Sequence, residues 1–103
     1  MRIGVPREIK DGEARVGATP DTVRALTRAG HAVLVETCAG ARVGFDDRAY
    51  AEAGAAVAAQ PDEVYACPLV VKVKELQPAE LGRLRPGTII AGYQQLGREP
   101  ALL

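Results

Sequence analysis

Leu69-Val70-Val71-Lys72-Val73-Lys74, directly after Pro68, is the stretch on which the fold turns. It is rich in β-branched residues and is bounded by a proline, which predicts a strand over Leu69–Lys74. Working outward, short apolar runs alternate with helical signals. Upstream, Ile3–Pro6 reads as a first strand and Ala32–Glu36 as a second. Between them Thr19 can cap a helix, Pro20 suits its first position and Gly30 ends it in a left-handed conformation. Val23, Leu26 and either Ala25 or Ala29 lie on its inward face. Asp46 starts a short helix with Ala49, Tyr50 and Ala53 inward and Gly54 at its end. Ala55–Ala58 reads as a further strand and Asp62–Ala66 as a helical turn. Downstream, Pro78–Leu84 is a short helix, Arg85-Pro86-Gly87-Thr88 a turn and Ile89–Tyr93 a strand. Glu99-Pro100-Ala101 reads as a helix beginning where the given sequence stops, which suggests a fragment of a longer chain.

Strands alternating with helices imply right-handed crossovers and a mainly parallel sheet. The expected fold is α/β, a three-layer, Rossmann-like or flavodoxin-like sheet with helices on both faces. In such sheets function gathers at the carboxyl ends of the strands. The 103 residues suit one domain with a modest core.

Composition narrows the function classes. Thirteen basic residues balance thirteen acidic ones, which gives no electrostatic case for nucleic acid or an anionic membrane as partner. No stretch approaches the roughly 18 consecutive apolar residues of a spanning helix. The charged amino terminus is unlike a signal peptide, so a cytoplasmic address is the expectation. Cys38 and Cys67 form no CxxC or CxxH unit and read as reduced small hydrophobes, with no metal site expected. Aromatic residues are 4% of the chain, few for a protein-recognition surface.

Several chemistries lack their residues. A dinucleotide fingerprint needs G-x-G-x-x-G straight after the first strand, whereas Pro6-Arg7-Glu8-Ile9-Lys10 stands there. Gly40 and Gly44 give one GxxxG spacing and precede no long helix. Glu36 closes the second strand where a ribose-binding acid would sit, but without the glycines it reads as a solvated acid beside a loop. The chain has no serine, Cys38 has no evident base, and His31 lies in a turn with no partner in sequence.

Three segments carry more. On a strand Lys72 and Lys74 share a face opposite Val71 and Val73. Two ammonium groups at that distance disfavour each other's charge, and burial adds to this. A lysine so perturbed can act as acid or base, or polarise a carbonyl. The alternative is an edge strand with both lysines in solvent. Arg15 lies in the polar loop Arg7–Gly17, where it can clamp a carboxylate at two points or serve as a surface charge. Gln94 and Gln95 follow the last strand and can orient a ligand by hydrogen bonds but cannot move protons at neutral pH.

These pieces occur together in one family. RIGVPREIKDGEARVGATPDTVRALTRAGHAVLVE (2–36) resembles the amino terminus of alanine dehydrogenases and of the related nicotinamide nucleotide transhydrogenase α subunits. The likeness continues through GFDDRAYAEAGA (44–55), LVVKVKE (69–75) and LRPGTIIAGY (84–93). Lys72-Val73-Lys74-Glu75 favours the dehydrogenase branch, because transhydrogenases usually carry Asn-Ala-Pro after the matching Lys-Val. The resemblance implies that residues 1–103 are the amino-terminal catalytic domain, or part of it, of a two-domain enzyme, with an NAD-binding Rossmann domain absent from this chain. The implied reaction is reversible oxidative deamination of L-alanine to pyruvate and ammonia, and the implied assembly a homo-oligomer or a partner subunit.

The family's carboxylate-binding arginine falls on Arg15. Its catalytic lysine, which contacts the substrate carbonyl, falls on Lys74, and its catalytic histidine falls on Gln95 of Tyr93-Gln94-Gln95-Leu96. A glutamine there can hold pyruvate's oxygen but cannot shuttle the proton released when alanine becomes imine. Two other readings stand beside this one: a stand-alone, non-catalytic carboxylate-binding or subunit-interaction module, and a transhydrogenase- or saccharopine-type relative.

Overall fold

A computed structural model describes residues 1–92 except positions 11, 14 and 75. The elements in chain order are β1 (Arg2–Val5), α1 (Pro20–Arg28), β2 (Ala32–Glu36), a 3₁₀ turn (Ala41–Val43), α2 (Asp47–Glu52), β3 (Ala56–Ala58), α3 (Pro61–Tyr65), β4 (Leu69–Lys72), α4 (Pro78–Leu81) and β5 (Ile89–Gly92). The two helix starts read from sequence rest on side-chain caps. Thr19 Oγ1 accepts from Thr22 N, and Asp46 Oδ1 accepts from Ala49 N at 2.8 Å. Gly30 and Gly54 both take positive φ just past their helices.

All five strands are parallel, in the order β3-β2-β1-β4-β5. Of the two orders expected, this is the Rossmann type. The chain winds outward from β1 to β3, then crosses back to β4 on the other side of β1. The direction of winding therefore reverses between β1 and β4.

Ile3, Val5, Val33 and Val35 pack with Val23 of α1, Tyr50 of α2 and Ala53 just after it on one face. Tyr65 of α3, Val70 and Ile90 form the core of the other face. Gly4 points to that second face, where any side chain would collide with the Val64 carbonyl of α3. Ala25 and Ala29 are exposed, so the inward stripe of α1 is narrower than its pattern suggested and consists of Val23 and Leu26.

Two boundaries differ from expectation in a way that matters. β4 stops at Lys72, two residues short of Lys74, and α4 stops at Leu81; β5 is described as Ile89–Gly92, and position 93 lies outside the described residues. Cys67 is buried, as expected of a small hydrophobe. Cys38 is not: it is exposed, at φ 64°, in the turn after β2. The side chain of Asp47 closes that turn, accepting from Thr37 Oγ1 and Cys38 N. Position 95 and the helix signal at 99–101 lie outside the described residues. Among the described residues no helix is long and apolar enough to cross a membrane.

Candidate functional site

The connection from β1 to α1 runs over residues 6–19 and lies at the carboxyl ends of β1 and β4, where the winding reverses. That is the crevice in which open α/β sheets hold ligands. In the connection Glu8 and Glu13 are buried and Arg15 is exposed, and the apolar residues that follow hold it to the sheet. Val16 and Ala18 are buried in the first core, and Gly17 lies so close to β4 that a Cβ would strike the Val71 carbonyl.

Lys72 is 1% exposed and sits on the α3–α4 face with Val70. Its Nζ donates to Glu8 Oε1 at 3.0 Å and to Glu80 Oε2 at 3.1 Å. The Tyr65 hydroxyl also donates to Glu80 Oε2, at 2.6 Å, and Gln77 N donates to Glu80 Oε1. Burial first, and then the Glu80 carboxylate, push the Tyr65 phenol far above its ordinary range, so it remains a proton donor in this bond. Glu8 does more than neutralise Lys72. Its carboxylate also accepts from Val73 N at 3.0 Å and Lys74 N at 3.3 Å, which sets the backbone turn that carries Lys74.

The alternation argument for Lys72 and Lys74 fails here for a simple reason. The strand ends before Lys74, so the two side chains no longer share a face. Each ammonium meets carboxylates rather than the other ammonium. The edge-strand alternative fails as well, because β4 lies between β1 and β5 and Lys72 is fully enclosed.

Lys74 Nζ is 3.9 Å from Glu13 Oε1. The same carboxylate holds Arg15: Oε2 accepts from Arg15 N at 2.8 Å and Nε at 3.0 Å, and Oε1 accepts from Nη2 at 3.1 Å. The bond from Arg15, set against burial, holds the Glu13 carboxyl below the usual carboxylate range. Arg42 of the 3₁₀ turn donates to the Glu13 carbonyl, tying the loop to the region after β2. Arg15 and Lys74, singled out separately in sequence, are thus brought together by a third residue that was not. Gln95 lies outside the described residues.

Beside Arg15 opens a cavity of about 280 Å³ lined by Arg15, Val16, Thr19, Val43, Phe45 and Val73. That is near the lower end of the roughly 300–1,000 Å³ usual for small-molecule sites. The lining is mostly apolar with one guanidinium, a chemistry suited to a short acid with a small apolar tail. Arg15 also lines a much smaller cavity of about 10 Å³, together with Glu13, Glu8, Arg7 and Arg42 among others.

The residues after β1 do not fit a dinucleotide. The connection brings the carboxylates of Glu8 and Glu13 to the crevice where a pyrophosphate needs glycine amides and a helix start. Glu36 is likewise engaged locally, accepting from Arg7 N at 2.9 Å and so pinning the loop. Among the described residues no group of three His, Cys, Asp or Glu side chains is placed to hold a metal ion.

Glu8, Glu13, Glu80 and Tyr65 escaped the sequence reading. The signal for the first two was present as acids alternating with bases in Arg7–Gly17, but it named no partners. Glu80 and Tyr65 carry no local signal, since Glu80 looks like an ordinary first-turn helix acid.

Comparison with known proteins agrees with the fold. Residues 4–103 match the family model described as alanine dehydrogenase/PNT, N-terminal domain. The chain is 47% identical to the alanine dehydrogenase of Bacillus subtilis (strain 168) over 102 residues, covering 99% of this chain and 27% of that protein. It is 44% identical to alanine dehydrogenase 2 of Staphylococcus aureus (strain USA300), with the same coverage. Among solved structures, an L-alanine dehydrogenase superposes with a TM-score of 0.89 at 43% identity, covering 98% of this chain and 28% of that one. A transhydrogenase from Sinorhizobium meliloti gives 0.86 at 25% identity, covering 98% and 30%. The chain therefore spans about a quarter of the length of the curated relatives it matches.

Proposed function

The chain belongs to the alanine dehydrogenase/PNT N-terminal domain family, and from that premise we propose that it forms the substrate-binding side of an NAD-dependent oxidoreductase interconverting L-alanine with pyruvate and ammonia. Residues 1–103 are then its amino-terminal catalytic domain, with NAD held by a Rossmann domain on other sequence. A cytoplasmic location and a homo-oligomer or partner subunit belong to the same proposal.

One observation carries it: Arg15 and Lys74 converge on a single carboxylate at the mouth of the crevice where the sheet reverses its winding. In this reading Arg15 grips the carboxylate of pyruvate or alanine at two points. The apolar wall of Val16, Val43, Phe45 and Val73 excludes water and receives the methyl group. Lys74 places its ammonium against the carbonyl oxygen, where positive charge stabilises the electron density that builds up there. Gln95 orients that oxygen by hydrogen bonding. It lacks the proton-transfer capacity of an imidazole, which is typically worth roughly a hundredfold to ten-thousandfold in rate.

The test is NADH consumption by the complete protein with pyruvate and ammonium. Turnover is expected in the wild type, with Arg15→Ala losing pyruvate binding by calorimetry and Lys74→Met losing turnover. Undiminished pyruvate affinity in Arg15→Ala removes that residue from the site. The glutamine at position 95 favours a second reading, a carboxylate-binding module without catalysis. That reading is the correct one if the complete protein binds pyruvate and consumes no NADH.

A further inference from the structure

Glu13 is an enclosed carboxylate bonded to Arg15, which lines the open cavity, yet the mechanism above gives it no task. Its carboxylate is 4% exposed, whereas the side chains of its two cationic partners are 59% (Arg15) and 26% (Lys74) exposed. A buried anion that holds two cations more exposed than itself is an anchor for both. We infer that Glu13 is a positioning residue that fixes the guanidinium of Arg15 and draws the ammonium of Lys74 to the same side, so that both meet the carboxylate end of an oxo acid. This inference rests on the alanine dehydrogenase reading.

Three features support it. First, the contact is directional. Glu13 engages Nε and Nη2, one edge of the guanidinium, together with the backbone N–H of the same residue. The two guanidinium bonds to one carboxylate fix the guanidinium plane, not merely its charge, and the third ties the backbone of the same residue to it. Second, Arg15 lines two cavities. Glu13 lines the small polar one and not the larger apolar one. Glu13 therefore grips Arg15 without itself occupying the lining of the larger space. Third, Glu13 is itself fixed at the backbone. Its N–H donates to Lys10 O, and its carbonyl accepts from Arg42 Nη1. An anchor must be held more firmly than what it holds, and this one is tied to the region following β2. The contact to Lys74 is longer and single, so loss of Glu13 acts mainly through Arg15, on binding rather than on the reacting carbonyl.

The experiment is steady-state kinetics of the complete protein carrying Glu13→Gln and Glu13→Asp, with folding of each checked by thermal denaturation. Glutamine keeps the shape but puts a donor against a donor on one side of the guanidinium. The KM for pyruvate should rise roughly 10- to 100-fold, as expected for losing a charge-assisted hydrogen bond. The KM values for ammonium and NADH should stay put, and kcat should change less than about threefold. Glu13→Asp should recover part of the pyruvate KM. Were Glu13 merely structural, the variants would lose folded enzyme and kcat while the pyruvate KM stayed constant, and the inference would be overturned. A lower pyruvate KM in Glu13→Gln would overturn it too, because Glu13 would then be competing with the substrate. A wild-type protein that neither binds pyruvate nor turns it over refutes the proposed function itself, and the positioning role falls with it.

Discussion

Replacing Lys72 with methionine probes an enclosed ion-pair network among the described residues. Met is close in length and apolar, so the enclosed volume of the side chain is largely kept. What disappears is the ammonium that touches Glu8 at 3.0 Å and Glu80 at 3.1 Å, with all three side chains at 3% exposure or less. Two enclosed carboxylates then face each other without a cation. Breaking a buried ion pair by removing one partner costs about 3–5 kcal/mol, chiefly from the uncompensated charge left behind. Here the remaining donors temper the loss. Glu80 keeps the Tyr65 hydroxyl and Gln77 N–H, and Glu8 keeps the amides of Val73 and Lys74. The expected cost is thus near the lower end, about 3 kcal/mol, a large part of the ~5–15 kcal/mol that holds a typical domain together. At roughly 4–8 °C per kcal/mol for a domain of this size, Tm should fall by more than about 10 °C. Urea and thermal denaturation of the chain, followed by circular dichroism, give the number directly. Adding Glu80→Gln to Lys72→Met should recover part of the loss, because it removes one of the two orphaned charges. A loss under about 1 kcal/mol, or no recovery in the double variant, would show that these carboxylates reach water and that the network is not the enclosed unit described.

Glu13 predicts an acid-side dependence: its folded carboxyl titrates below the ordinary value of 4.5, so the stability it contributes is complete above that value and is lost as pH falls through the folded one. The stability gap between wild type and Glu13→Gln should accordingly close on acidification, and a gap that widens would contradict the assignment. Tyr50 predicts the opposite limb, since burial pushes its phenol up to about 12. Its contribution is complete below pH 10 and declines as pH rises from 10 towards 12, so the wild-type Tm should fall faster than that of Tyr50→Phe over this range; parallel curves would refute it. At neutral pH Tyr50→Phe should still cost about 1–2 kcal/mol in urea titration, because the enclosed Ala18 carbonyl loses the hydroxyl donor now 2.7 Å away. Gly17→Ala should destabilise by about 1–3 kcal/mol, as its methyl group strikes the Val71 carbonyl and pushes the β1–α1 connection off β4; an unchanged urea midpoint would show that the approach is looser than described.

Much of the scaffold was legible residue by residue. β2 was read to its exact bounds because Ala32–Glu36 is an apolar run ended by an acid, and both capped helices were found at Thr19 and Asp46 because a cap is a contact within four residues. Arg15 and Lys74 could be singled out from a polar loop and a strand end, but their proposed roles came from family likeness. Neither has a local pattern separating it from a surface charge. The face shared by Lys72 and Lys74 was misread because alternation holds only while the strand continues, and sequence does not show where a strand's hydrogen bonding stops. Cys38 was misread as a small hydrophobe because its exposure follows from a left-handed turn closed by Asp47, nine residues away.

Local chemistry in the chain was enough to specify alternating strands and helices, a parallel sheet and the absence of a glycine loop for phosphate. The strand order was beyond its reach, as was the point where the winding reverses and the identity of the carboxylate that meets each cation. The bonds that build the site join Glu8 to Lys72 and to the amides of Val73 and Lys74 across more than sixty residues of chain. A contact of that kind is selected by the exclusion of water around both partners at once, and that exclusion exists only after β1 and β4 have come together side by side.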